Sequence, residues 1–186
     1  ARRDLSPLAV PDGLTGVLVE LLVPLERAFG VREATVVAMR PAFDLGEPGV
    51  EELREQTVRL LNFLDLPRDV FGAQLAFNVL PKPVDLRSAQ ELACLFGWDR
   101  PRVAVRSVAV PVFHSHAVAL RVSMTREVPG DEVRTVLERA GVRVAGIGEH
   151  PTPVDVATER RTVVSGIEAD GLGGLWLWAV AGETAA

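Results

Sequence analysis

The sequence predicts an α+β domain, a mixed, mostly antiparallel sheet with helices packed on one face. Two observations carry this prediction: consecutive strand-like segments are joined by short turns, and helical apolar stripes occur at separate places along the chain. No internal repeat or low-complexity segment interrupts them. With 186 residues, 48% of them hydrophobic, and a mean hydropathy of +0.21, the chain is long and apolar enough to enclose one core.

The first predicted element is a long helix that Gly30 closes and Pro24 bends. Apolar residues at helical spacing form one buried stripe along it: Leu14, Val17, Leu18, Leu21, Leu22, Leu25, Ala28 and Phe29.

The later elements alternate between the helical and the strand period. They are a strand at 33–40, a surface helix carrying Val50, Leu53, Thr57, Leu60 and a Glu55–Arg59 pair, a helix at 86–96 capped by Asp85, strands at 103–110 and 116–124, a helix at 131–140 with Pro129 in its first turn, and strands at 142–147, 161–168 and 174–180.

Charge and cysteine content exclude several classes of protein. The net charge of −5 is spread without runs, so the positive field that nucleic acid or an anionic membrane requires is missing. The longest apolar stretches fall short of the roughly 20 residues that span a bilayer. The single cysteine, Cys94, excludes an internal disulfide framework and a cysteine-rich zinc site. We therefore expect no nucleic-acid partner, no membrane partner and a cytoplasmic location.

The first residues of the chain do not have the pattern of a signal peptide. The chain begins at Ala1 rather than methionine, and its first six residues lack the apolar core of a signal peptide. We interpret it as a piece of a longer protein. The glycines of 171–174 precede a strand, whereas a dinucleotide cradle follows a strand and opens a helix, so no phosphate-binding loop is predicted.

Five stretches, in order and at consistent spacing, resemble the C-terminal, substrate-binding and dimerisation domain of aspartate-semialdehyde dehydrogenases. They are 10–15, 24–30 (Pro-Leu-Glu-Arg-Ala-Phe-Gly), 74–81 (Gln-Leu-Ala-Phe-Asn-Val-Leu-Pro), 110–116 (Val-Pro-Val-Phe-His-Ser-His) and 151–155 (Pro-Thr-Pro-Val-Asp). The resemblance implies that residues 1–10 are the tail of a preceding nucleotide-binding domain, and that 11–186 form the substrate-binding and dimerisation domain of a homodimer associating through its sheet face.

The family interconverts L-aspartyl-4-phosphate and L-aspartate-4-semialdehyde with NADP, through a thioester on a cysteine. By resemblance, the nucleophile position here is Gly13, which has no side chain. His116 keeps the position of the acid and base. This resembles the Usg-type paralogues, which lack the catalytic cysteine.

The substrate-binding positions implied by the resemblance are also degenerate. The glutamine position is Pro41, the carboxylate-binding arginine position is Ala109 and the lysine position is Cys94, while the glutamate survives as Glu91. These losses favour a catalytically impaired scaffold, with a small acid as the candidate ligand. NADP is implied for the full-length family, and no cofactor is expected for this fragment alone. The alternative is an active NADP-dependent dehydrogenase with an unidentified nucleophile.

Structural interpretations of the same residues stay open. His116 is also consistent with a hydrogen-bonded histidine at the edge of the core, and Glu91 with a solvated helix charge. Cys94 could be a relocated thiol or simply a small hydrophobe. His114 and His116 share one face of a predicted strand and could start a metal site, but no third ligand occurs at diagnostic spacing, so no metal is predicted. Trp176 and Trp178 are interpreted as core or dimer contacts.

Overall fold

The fold consists of seven strands, four α-helices and a short 3-10 helix in the described part of a computed structural model, which covers residues 13–146, 148–159 and 161–182. The helices are α1 Gly13–Phe29, α2 Gly46–Leu61, α3 Leu86–Phe96 and α4 Gly130–Arg139, and the 3-10 helix is Ala42–Leu45. The strands are β1 Val31–Arg40, β2 Leu80–Val84, β3 Val103–Ala109, β4 His116–Met124, β5 Arg143–Val144, β6 Thr162–Ala169 and β7 Gly174–Ala181.

All seven strands form one sheet in the order β2-β3-β1-β4-β7-β6-β5. Strand β1 runs parallel to β3 and β5 runs parallel to β6, while the other four pairings are antiparallel. The prediction of a mixed, mostly antiparallel sheet is confirmed.

Helix α1 lies over the centre of the sheet. Its stripe from Leu14 to Leu25 is buried as predicted, but Ala28 is exposed and Phe29 is only half-buried, because the last turn runs past the edge of the packed face. The helix continues through Pro24 without ending there. Helices α3 and α4 flank α1 and join its core through Leu92, Val133 and Leu137. Among the described residues, no helix combines the length and the apolar character that a bilayer span requires.

Two predicted helix starts were tested by the structure. Asp85 caps α3 as predicted, since its side chain accepts a hydrogen bond from the backbone N–H of Ser88 at 3.0 Å. Pro129 is the N-cap residue of α4, with an extended backbone, rather than a member of its first turn.

The strand predictions fail at two places. Strand β2 was not predicted, because Pro81 and Pro83 interrupt its pattern; it is an edge strand, where prolines are tolerated. The strand predicted at 142–147 is only Arg143–Val144 in the structure, because only these two residues pair in register with β6. Ile147 lies outside the described residues.

Helix α2 does not join the helical layer. Its Leu53 packs with Ala42 of the 3-10 helix, with Leu75 and Ala76 of the following segment, and with Ala109 at the end of β3. The predicted Glu55–Arg59 ion pair forms on its outer face at 2.7 Å. This second, smaller cluster therefore fixes the 3-10 helix at the end of the central strands.

The sheet face opposite α1 is only partly covered. Register places Thr35, Arg121 and Trp176 in one row across β1, β4 and β7, and Val37, Ala119 and Trp178 in the next. Trp176 is 39% exposed, and Trp178 is half-buried where its indole N–H donates to the carbonyl of Pro151. Within this single chain, Trp178 is therefore partly packed, whereas Trp176 remains exposed.

Candidate functional site

The first residue of α1 meets the first residue of β4. A Cβ atom added at Gly13 would lie 3.0 Å from Cε1 and 3.5 Å from Nδ1 of the His116 imidazole. The two residues converge because α1 packs through Leu14 onto the same core as Val118 of β4, which fixes both starting points at one end of the sheet. The residue at position 13 is thus the one whose side chain would face the imidazole.

The imidazole is held from its other side by Asp44. His116 Nε2 lies 3.2 Å from Asp44 Oδ1, across 72 residues of sequence. The other carboxylate oxygen, Oδ2, lies 3.1 Å from Arg40 Nε and 4.0 Å from Lys82 Nζ. Asp44 is carried by the 3-10 helix, Arg40 by the end of β1 and Lys82 by β2. Side chains from three elements therefore meet at the carboxylate that contacts His116.

The surroundings of Asp44 keep it ionised. Burial raises the pKa of this carboxyl group, but the hydrogen bond from His116 and the charges of Arg40, His116 and Lys82 together outweigh burial, and the pKa lies below its ordinary value. An ionised carboxylate can only accept hydrogen bonds, so neutral His116 donates through Nε2 and keeps its lone pair on Nδ1.

Acid is expected to weaken the fold partly through Asp44. Because its folded-state pKa is depressed, ionised Asp44 stabilises the fold above the ordinary carboxyl pKa of about 4, and this contribution is lost as pH falls through the folded-state value. We expect Asp44→Asn to lower the free energy of unfolding by about 1–2 kcal/mol at pH 7. The gap between the two proteins should close below about pH 4, as measured by urea unfolding at several pH values. A gap that widens towards acid would contradict this prediction.

Ala109 and Pro41 lie at the ends of neighbouring strands. Ala109 is the last residue of β3, is buried, and pairs in register with Arg40 on β1. Pro41 is buried directly after β1, where it starts the 3-10 helix. Neither carries a group that can bind a substrate, and the polar side chain that β1 brings to this end of the sheet is Arg40.

Glu91 is anchored to the first turns of α1. The Thr15 hydroxyl lies 3.3 Å from Glu91 Oε2 and 3.1 Å from the Ser88 hydroxyl. On its outer side Glu91 forms an ion pair with Arg87 at 2.8 Å. Glu91 is thus a half-buried, paired group rather than a freely solvated charge.

Cys94 lies one turn further along α3, exposed and as a free thiol. Among the described residues, no hydrogen bond joins Cys94 or Glu91 to His116. Asp12, which the sequence offers as a cap for the first helix, lies outside the described residues.

His114 and His116 do not share a strand face. Ser115 between them has a φ of +73°, and β4 begins only at His116. The His114 ring packs 5.3 Å from that of Phe43, whereas His116 turns to Asp44. The prediction that His114 and His116 share one strand face is therefore wrong. No group of three potential metal ligands occurs in the described parts of the chain.

Sequence reasoning missed Asp44, Arg40 and Lys82. The i, i+4 spacing of Arg40 and Asp44 is visible in the sequence, but such a spacing carries no signal of a distant histidine partner. Lys82 lies between the two prolines of the strand that was not predicted.

Residues 22–184 match the family described as semialdehyde dehydrogenase, dimerisation domain. This chain belongs to that family. The resemblance carried by the five sequence stretches is thereby confirmed at the level of the family and of the fold.

Relatives of this dimerisation domain include dehydrogenases and a USG-1 homologue. It is 26% identical to aspartate-semialdehyde dehydrogenase 2 of Vibrio cholerae, over 96% of this chain and 57% of the relative. It is 28% identical to a USG-1 protein homolog of Pseudomonas aeruginosa, over 87% of this chain and 52% of the relative. The crystal structure of aspartate semialdehyde dehydrogenase II from Vibrio cholerae has a TM-score of 0.87 at 26% identity, over 92% of this chain and 56% of that one. The chain thus spans about half the length of these relatives.

Proposed function

We propose that this chain is the substrate-binding and dimerisation domain of an aspartate-semialdehyde dehydrogenase-like protein that has lost thioester chemistry. The observation that carries the proposal is the contact between Gly13 and His116. The resemblance puts the nucleophile at 13 and its proton acceptor at 116, and the fold places the two positions side by side. The acceptor remains, whereas the position that would carry the attacking sulfur has no side chain.

The expected loss of turnover follows from the thioester mechanism that the resemblance implies. Removing a covalent nucleophile alone costs on the order of 10⁶ in turnover. The arginine position is a buried alanine, which removes a bidentate clamp on a carboxylate as well. Cys94 does not restore the sulfur, because it is exposed on α3 and makes no hydrogen bond to His116 among the described residues.

The described residues do not fit NADP, which the resemblance implies for the full-length family. The glycines of 171–174 close the turn between β6 and β7, where the backbone N–H of Asp170 donates to the carbonyl of Gly174. They do not lead from a strand into a helix, as a dinucleotide cradle does. We therefore assign no step to NADP within this domain and propose that it retains at most a small-acid ligand.

Association through the open sheet face is the second part of the proposal. The family is named for dimerisation, and Trp176, Val37 and Ala119 present apolar surface on the sheet face opposite α1, beside the polar Thr35 and Arg121. A second copy packed face to face would cover both rows, and a self-complementary patch of this kind is typical of a twofold dimer.

The test of lost chemistry is to restore the sulfur. The natural full-length protein and its Gly13→Cys and Gly13→Ala variants are mixed with phosphate, NADP and aspartate semialdehyde, and NADPH formation is followed. Alanine is the matched control, because it adds the same Cβ, to which the imidazole must yield by a few tenths of an ångström, without the thiol.

We expect no turnover from wild type or Gly13→Ala, and turnover at least about 100-fold above both from Gly13→Cys, well short of the full nucleophile effect because Ala109 is unchanged. Wild-type turnover equal to that of Gly13→Cys would reject the loss of chemistry. Failure of the introduced thiol to react with iodoacetamide faster than Cys94 would reject position 13 as the site.

A further inference from the structure

We propose that a cleft between Arg32, Arg100 and Arg102 binds a small phosphate monoester through its dianionic phosphoryl group. Strand β1 starts beside this cleft and ends at Arg40, next to Asp44. Eight residues of extended chain, about 26 Å at 3.3 Å per residue, therefore separate the cleft from the site at His116. Binding in the cleft does not depend on the chemistry proposed at Gly13.

Three connections of the fold form the cleft. Arg32 is the second residue of β1, Arg100 and Arg102 lie between α3 and β3, and Thr125 follows β4. The connections meet at one end of the sheet because β1 pairs with β3 on one side and with β4 on the other. Together with Asp99, these residues line an open cavity of about 490 Å³, which is within the size range of small-molecule sites.

Two of the three guanidinium groups are held in place by the protein itself. Arg32 Nη2 donates to the carbonyl of Thr125 at 3.3 Å, and Arg102 Nη1 donates to the carbonyl of Val31 at 2.9 Å. The Arg102 guanidinium also lies over the indole of Trp98, 5.3 Å from the ring centroid. A guanidinium has five N–H donors, so both groups retain donors for an oxyanion. Because they are already ordered, binding costs less side-chain entropy.

The contacts of Trp98 favour a phosphoryl group over an aromatic base as the ligand. The indole N–H donates to Glu26 Oε1 at 2.9 Å, and the ring stacks on Phe96 with centroids 4.5 Å apart. The other oxygen of Glu26 accepts from the backbone N–H of Val31, so this carboxylate is committed away from the arginines. With Phe96 and Arg102 packed against it, the indole is already engaged as a stacking surface.

The charges of the cleft match a dianion. Among the described residues, none of the three arginines forms an ion pair, and Asp99 is the acidic residue of the lining. Three positive charges and one negative charge leave the lining at +2, whereas the whole chain carries −5. A phosphate monoester carries about −1.5 to −2 charges at pH 7, and guanidinium groups donate charge-assisted hydrogen bonds to its oxygens.

The test is isothermal titration calorimetry of the full chain with glycerol 3-phosphate, in about 0.1 M NaCl, where exposed charges more than about 10 Å apart are largely screened. We expect one saturable site with a Kd of about 1 mM or tighter, and no binding of glycerol, which lacks the phosphoryl group. Arg100→Gln and Arg102→Gln should each raise the Kd at least about 10-fold, because each removes a charged donor.

Arg106→Gln is the matched control. Arg106 is exposed on β3, four residues or about 13 Å beyond Arg102, and its loss changes the net charge equally, so the Kd should stay within about twofold of wild type. Arg100→Gln carries little risk of misfolding, because Arg100 is exposed and makes no hydrogen bond or ion pair among the described residues.

Three results would overturn the proposal: no saturable binding up to about 20 mM glycerol 3-phosphate, a wild-type Kd in Arg100→Gln, or an equal loss of affinity in Arg106→Gln. The titration uses neither NADP nor semialdehyde, and no thiol takes part. Its outcome is therefore separate from that of the Gly13→Cys experiment.

Discussion

Gly49→Ala is expected to destabilise the domain by about 2 kcal/mol and to separate Asp44 from His116. A Cβ at Gly49 would lie only 2.2 Å from the carbonyl oxygen of Ala42, a backbone atom that cannot rotate away. Forced overpacking typically costs about 1–3 kcal/mol, and the higher helix propensity of alanine returns up to about 1 kcal/mol of it. Because Ala42 opens the 3-10 helix that carries Asp44, the same clash should also displace the Asp44 carboxylate from His116.

The matched control is Gly16→Ala in α1. A Cβ at Gly16 meets no atom of the described residues within 4 Å, so the helix propensity of alanine should add about 0.5–1 kcal/mol of stability. Both values come from denaturant unfolding followed by circular dichroism. The close approach of α2 to the 3-10 helix would be disproved by a Gly49→Ala protein as stable as Gly16→Ala.

Trp176→Glu is expected to convert a dimer into a monomer. Trp176 is 39% exposed on the open sheet face, opposite Arg121 on β4, and aromatic anchors buried in an interface carry about 2 kcal/mol or more of its binding energy. Burying a carboxylate there adds a further desolvation penalty, because the neighbouring Arg121 is already paired with Asp170 and Glu33. We expect the dimer dissociation constant to rise at least about 100-fold, measured by sedimentation velocity or light scattering across a dilution series.

The control for the interface is Leu172→Glu. Leu172 is 83% exposed in the turn between β6 and β7, beyond the ends of the paired strands, and this change should leave the dissociation constant unaltered. A wild-type protein that is monomeric at micromolar concentration would disprove association through the sheet.

The helices were predictable because their signals are local. The spacing of Leu14, Leu18, Leu21 and Leu25 identifies the buried stripe of α1 wherever the helix packs, and Asp85 caps α3 through a residue three positions away. Strand β2 was not predictable in this way, since its proline-interrupted sequence becomes a strand only by pairing with β3.

The candidate site was predictable in part. His116 and Gly13 were chosen by resemblance, and the fold brings them together. Asp44 was not chosen, because nothing within a few residues of it identifies a histidine partner. The positive φ of Ser115, which prevents His114 and His116 from sharing a face, likewise has no signature in the sequence.

The sequence by itself determined the family, the α+β class, the long buried helix and the absence of a side chain at position 13. Hydrophobic periodicity and motif spacing are properties of short segments, so they can be recognised without knowing the tertiary contacts of the rest of the chain. Only the tertiary structure decided that Asp44 contacts His116 while Arg40 and Lys82 hold its carboxylate, and that His116 lies beside Gly13. The packing of α1 on the sheet and the pairing of β1 with β3 and β4 fix those distances between residues far apart in sequence.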